Sequence, residues 1–187
     1  MTPQQLYEQL KLADKHWKNR QKVADIVLQN KDVFPLLLQF CYKFDDDLSR
    51  KACWTLEFVC KQKLHWLLPF VDDFIANLPK FKIDATVRPA AKIAQLLVKA
   101  WFGKNPSPVK EQLTEVHLEK LAEINFDWLI SDEKVAVKAY AIYSLYDLGK
   151  KWDWIYPELR LILEQNMHQH SAAYKAAARN TLKKLPR

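Results

Sequence analysis

Four stretches of this chain carry closely related text: DDLSRKACWTLEFV from residue 46, DATVRPAAKIAQLL from 84, DEKVAVKAYAIYSL from 132 and SAAYKAAARNTLKKL from 171. Aligned, they put Arg50, Arg88, Ala136 and Lys175 in one column, at spacings of 38, 48 and 39 residues. A weaker copy, NRQKVADIVL, places Arg20 in the same column. A period of about 40 residues restricts the fold severely, because each repeated unit must bury its apolar side against the next copy.

The periodicity around each copy is helical, and it predicts ten helices, at 3–14, 16–30, 32–43, 46–62, 64–79, 84–102, 110–130, 132–148, 153–167 and 170–185. No strand-like alternation survives between them. The chain has two glycines, Gly103 and Gly149, where average usage of about 7% predicts roughly thirteen. That scarcity argues against β-hairpins and excludes a Gly-rich phosphate loop. GKNPSPVK, at 103–110, is the clearest loop and accounts for the wide 48-residue interval as an insertion.

Taken in consecutive pairs, the helices divide into firsts and seconds, and the repeated text opens the second helix of each pair. First helices share a proline before an apolar stripe, in VFPLLLQF, LLPFVDDF and IYPELRLIL, at Pro35, Pro69 and Pro157. Asp32 and Asp153 are placed to cap two of them. On the second helix holding Arg88, the apolar positions Val87, Ala90, Ala91, Ile93, Ala94, Leu97 and Val98 wrap most of the circumference. Such a helix must be covered on several sides, and its alanines let neighbouring axes approach closely. The expected fold is therefore all-α, an α-α superhelix of about five helix pairs forming a single domain over 1–187, with the loop insertion near 103–110.

The D-x-x-V-R-x-A-A text of Asp84, Val87, Arg88, Ala90 and Ala91 resembles the second helix of a HEAT repeat, and the proline-bearing first helices resemble HEAT first helices. The resemblance covers nearly the whole chain in five imperfect copies. Ala136 departs from it where the base belongs, and the first copy lacks the alanine pair. The chain also resembles a group of short bacterial helical-repeat proteins that carry an adenylosuccinate lyase label. Those lyases are much longer and use a Ser-bearing, glycine-containing loop with Met, Lys and Asn-Pro; nothing here matches that loop.

In HEAT-like stacks the second helices line the concave side, and here they carry the positive charge. With flanking residues they sum to +11, the remainder of the chain to −4, within a net +7. The resemblance thus implies a basic inner face, with Arg20, Arg50, Arg88, Lys92, Lys138, Lys175 and Arg179 as candidate anion-binding residues. The partner it would take is an acidic protein segment or nucleic acid. Phosphate contacts would make binding steeply salt-dependent. The same residues also have a purely structural reading: Asp46 with Arg50, and Asp84 with Arg88, are i,i+4 pairs that support their own helices, and lysine strips are commonly solvated faces. Some DNA glycosylases for alkylated bases are similar HEAT-like stacks, which leaves a nucleic-acid enzyme as the alternative, although no residue of theirs carries over.

Other chemistry finds little footing. No serine lies in G-x-S-x-G or S-x-x-K, so no nucleophile constellation is expected. His168 and His170 sit in a turn without an acid or cysteine at ligand spacing, so neither metal nor cofactor is implied. Three cysteines, Cys41, Cys53 and Cys60, lie in apolar runs and read as buried, reduced thiols of a cytoplasmic protein. No segment is apolar for long enough to span a membrane. Most of the seven tryptophans fall at core spacing; Trp152 and Trp154 flank a cap position, which predicts that one is exposed.

Overall fold

The computed structural model describes residues 1–44, 46–167 and 170–186. Eleven α-helices and four short 3-10 turns make up the described elements, and no strand occurs among the described residues. The chain divides into two compact units, Met1–Ile93 and Ala94–Arg187.

In the first unit, α1 (Pro3–Lys11) starts at Thr2, whose hydroxyl accepts from the Gln5 amide while the Gln5 side chain accepts from the Thr2 amide. These reciprocal bonds satisfy two donors that a helix start otherwise leaves open. Helices α2 (Trp17–Leu28) and α3 (Phe34–Cys41) follow, the latter entered through a 3-10 turn at 31–33. Asp32 lies inside that turn and Val33 occupies the cap, so the expected Asp32 cap does not form. Asp46 accepts from the Leu48 amide at 3.1 Å and starts the long α4 (Asp47–Lys63). Against α4 pack α1, α2 and α3. The two second helices α2 and α4 are thus neighbours, as stacked hairpins require.

The segment expected as one helix at 64–79 is broken. It runs as 3-10 turns at 64–66, 68–70 and 78–80, with only α5 (Val71–Asn77) fully α-helical. Pro69 and Pro79 explain the breaks, since each removes an amide donor and crowds the preceding turn. Helix α6 (Asp84–Trp101) contains Pro89, and the division between units falls within it. Val87, Ala90, Ala91, Ile93, Ala94, Leu97 and Val98 are all buried, as the wide apolar face of this helix demands.

In the second unit, the expected helix at 110–130 is two helices. Ser107 caps α7 (Pro108–Gln112), and Thr114 then starts α8 (Glu115–Ile130) by a reciprocal bond with His117. Helices α9 (Val135–Leu148), α10 (Ile155–Asn166) and α11 (Ala172–Leu182) complete it. Trp154, not Asp153, holds the cap position of α10, and its side chain makes no capping bond. Helix α9 packs against α8, α10 and α11, again bringing two second helices, α9 and α11, side by side. The core here is Leu118, Leu121, Ala141, Ile142, Leu145, Leu159, Leu163 and Tyr174, each completely buried. Each large aliphatic side chain so buried stabilises the fold by roughly 1.5–3 kcal/mol against exposure.

Candidate anion-binding site

The repeated column converges on an indole in the first unit. Arg50 lies in the first turn of α4 and Trp54 one turn later, so both share a helix face. Arg20, early in the neighbouring α2, lays its guanidinium over the Trp54 ring with 3.9 Å to the centroid. The Arg50 guanidinium lies 5.8 Å from the same centroid. Stacking of this kind favours the flat, weakly hydrated guanidinium over an ammonium.

A folded loop aims Arg20. The Asp14 carboxylate accepts from the His16 amide at 2.7 Å and from Asn19 Nδ2 at 2.9 Å, while the Asp14 carbonyl accepts from Arg20 Nε at 2.7 Å. Those bonds, the His16 amide foremost, hold the Asp14 carboxyl below its usual range. Arg20 in turn is pushed down by burial and then by the like charge of Arg88, with Glu57 and Asp14 opposing. Arg88, in the first half of α6, is therefore close enough to bear on Arg20. An arginine so shifted is still charged at neutral pH.

The cluster is only partly neutralised, because Arg50 alone of the three has an ion-pair partner among the described residues. Arg50 pairs with Asp47, not Asp46, because the Asp46 carboxylate is turned to the helix start. Asp84 makes no ion pair with Arg88 among the described residues, and Glu57 is buried and joined to Lys61 at 2.5 Å. Two donors of these side chains, Arg50 Nε and Trp54 Nε1, are shut off from solvent and have no acceptor. Buried donors left open each cost roughly 1–3 kcal/mol.

The remaining candidates lie apart from this trio or do different work. Lys92 is half-buried one turn beyond Arg88 on α6. In the second unit Ala136 leaves its copy of the column without a base, and Lys138, two residues on, is buried. Its ammonium donates to the Leu129 carbonyl at 2.9 Å and the Ser131 carbonyl at 2.6 Å, closing the C-terminus of α8. Burial pushes its pKa down, against Asp132 and Glu133. Lys138 is thus a helix-closing residue and does not belong with a solvent-facing anion site. Lys175, half-buried, and Arg179, exposed, stand one turn apart on α11.

Trp54 was legible only as core; its spacing of four from Arg50 is the signal that assigns it to the basic face instead. Trp17, 63% exposed, had no such signal, whereas Trp154, 55% exposed, is the expected exposed member of its pair. Cys41, Cys53 and Cys60 are buried free thiols. Among the described residues no group of three or more His, Cys, Asp or Glu could hold a metal ion; His168 lies outside those residues, and His170 packs on the Tyr174 ring at 4.2 Å. No described helix is long and apolar enough to cross a membrane.

Residues 8–185 match a family model described as a HEAT repeat domain. No curated protein and no solved structure matches the chain. The family match spans both units, and with the paired helices and the adjacency of second helices within each, the chain belongs to the HEAT repeat family.

Proposed function

We propose that this HEAT repeat protein is a non-enzymatic scaffold whose first unit takes an acidic segment of a partner protein, with Arg20, Arg50 and Arg88 as its anchors. Helical-repeat scaffolds of this family serve protein interaction, and that class of partner is the one the reading adopts. The observation that carries it is the convergence of two guanidinium groups, Arg20 and Arg50, on one half-buried indole with Arg88 bearing on Arg20, and no ion-pair partner for Arg20 or Arg88 among the described residues.

The like charges of Arg20 and Arg88 raise the energy of the free protein, and an incoming carboxylate lowers it. Trp54 fixes the Arg20 plane, leaving the guanidinium edge for a two-point bond to a carboxylate. Arg50, 41% exposed at its side chain, can exchange Asp47 for a partner's acid as that acid approaches.

The test is titration of a labelled peptide rich in Asp and Glu, and separately of a single-stranded oligonucleotide, at 50 and 200 mM salt. The peptide is expected to bind and to weaken with salt. Arg20→Ala with Arg88→Ala is expected to weaken it at least tenfold while the helical circular dichroism stays unchanged. Absence of peptide binding, or binding indifferent to those substitutions, overturns the site; tighter binding of the oligonucleotide overturns the partner class.

A further inference from the structure

A second surface, in the second unit, has the opposite chemistry. Trp152 and Trp154 bracket the entrance to α10, and together with Glu119, Ala122 and Glu123 of α8 they line a cleft of about 250 Å³. Ligand pockets for drug-sized molecules run from roughly 300 to 1,000 Å³, so this cleft suits one long side chain. Ala122 is the small residue of that lining. Trp154 is 55% exposed, and one face of its ring stacks on Phe126, with centroids 5.8 Å apart and planes 21° apart. That contact holds an aromatic surface rigidly in water. On its other flank a hollow is lined by Phe126, Glu158 and Ile162.

The two carboxylates that line the cleft lack counterparts. Glu119 and Glu123 sit one turn apart, a like-charge spacing that weakens their own helix. Both are exposed, and neither pairs with a base among the described residues, although the chain carries 29 Lys and Arg against 22 Asp and Glu. Close by, the molecule already uses this chemistry internally: the Lys151 ammonium stands 5.4 Å from the Trp152 ring centroid while pairing with Glu115 at 2.5 Å. Aromatic faces with nearby carboxylates select cations.

We propose that this cleft is a docking site for an arginine side chain in a basic segment of a partner protein. The guanidinium plane lies along the exposed indole of Trp154, and its edge donates to the Glu119 and Glu123 carboxylates, which reach it from one helix face. A flat, weakly hydrated cation fits an aromatic wall and a pair of acids better than a compact ammonium does. The inference does not rest on the arginine cluster of the first unit.

The experiment uses the full chain labelled with nitrogen-15, following the tryptophan indole N–H resonances, with Trp152→Phe and Trp154→Phe assigning the two signals. A blocked peptide carrying two arginines among glycines and serines is expected to shift both signals saturably, and less at 200 mM salt than at 50 mM. Glu119→Gln with Glu123→Gln, at exposed helix positions, is expected to weaken binding at least tenfold, while Arg20→Ala with Arg88→Ala leaves it unchanged. Unmoved signals, or an unchanged affinity in the glutamine variant, overturn the site. A lysine peptide that binds equally well overturns the choice of arginine. Shifts of the same signals on raising protein concentration alone overturn the foreign partner in favour of a second copy of this chain.

Discussion

The two units descend from the same repeated text but use its basic column in opposite ways. In the first, Arg20 and Arg50 gather around Trp54, and Arg88 lies close enough to bear on Arg20. In the second, the column holds Ala136 and, on α11, the half-buried Lys175; beside Ala136 on α9 the base Lys138 turns inward to close α8. The units also fill their tight places differently. Both glycines of the chain fall in the second unit and all three cysteines in the first. A shared repeat therefore fixes where helices start and which sides they bury, while the fate of each polar position depends on whether a neighbouring carbonyl is within reach.

The sharpest way to break this contrast is to remove the bases and measure stability. Lys138→Met keeps the aliphatic stem but strips both hydrogen bonds from the end of α8. Bonds from charged donors are worth roughly 1.5–3 kcal/mol each, and the abandoned carbonyls stay partly buried, so the expected loss is about 3 kcal/mol. Arg88→Ala, a surface change, is expected to alter stability by less than about 0.5 kcal/mol. Urea midpoints at neutral pH decide it. Equal effects would erase the distinction between an internal and a surface base.

Much of the architecture could be read before any coordinates, for a physical reason: the packing of helix pairs depends on apolar periodicity, which a single sequence displays directly. The burial of Val87 through Val98 on α6 follows from that pattern. Boundaries decided by local backbone chemistry were harder. Leu113 and Thr114 interrupt what periodicity alone reads as one helix, because the Thr114 hydroxyl and the His117 ring satisfy a fresh helix start. Pro69 and Pro79 break another that the apolar stripe makes continuous. For the candidate site, the Arg20, Arg50 and Arg88 column was legible from the alignment of copies. The inward turn of Lys138 was not, since it depends on carbonyls seven and nine residues upstream that only the turn between α8 and α9 brings to its ammonium.

The glycine side of the comparison gives the next largest effect. Gly149 ends α9 at an ordinary helical φ of −60°, so its role is one of space. A Cβ there would stand 2.2 Å from Tyr156 Cε1 and 2.5 Å from Cδ1. Gly149→Ala forces the Tyr156 ring off its seat beside Tyr146, where the centroids are 6.2 Å apart. Overpacking of this kind costs roughly 1–3 kcal/mol, and about 2 kcal/mol is expected by urea denaturation. Adding Tyr156→Ala should recover part of that loss by vacating the space. If the double variant is no more stable than Gly149→Ala alone, close approach is not the reason for the glycine.

The thiols of the first unit supply the most discriminating test. Burial pushes the Cys60 thiol well above its ordinary 9.0, Glu57 adding to it, and Cys41 is raised by burial and by its contact with the Cys53 thiol. A group whose folded pKa exceeds its unfolded one contributes stability that is whole below the unfolded value and is lost as pH rises. Above pH 9.0 the unfolded chain releases these protons while the folded one holds them, so stability falls, by up to about 1.4 kcal/mol per pH unit for each thiol. In the second unit Lys138 has the opposite sign. Its folded pKa is depressed, so below 10.5 the unfolded chain binds the proton more tightly and stability rises with pH. Tyr156 and Tyr174, raised chiefly by burial, subtract only above 10.0. Between pH 9 and 10, then, the first unit weakens and the second does not. Urea titrations at pH 8, 9 and 10, followed through methyl resonances of Val59 and Leu145, separate the two. Cys60→Ala should roughly halve the slope seen at Val59 and leave that at Leu145 untouched; parallel slopes in both units, or an unchanged slope in the variant, would break the contrast between a thiol-packed unit and a glycine-packed one.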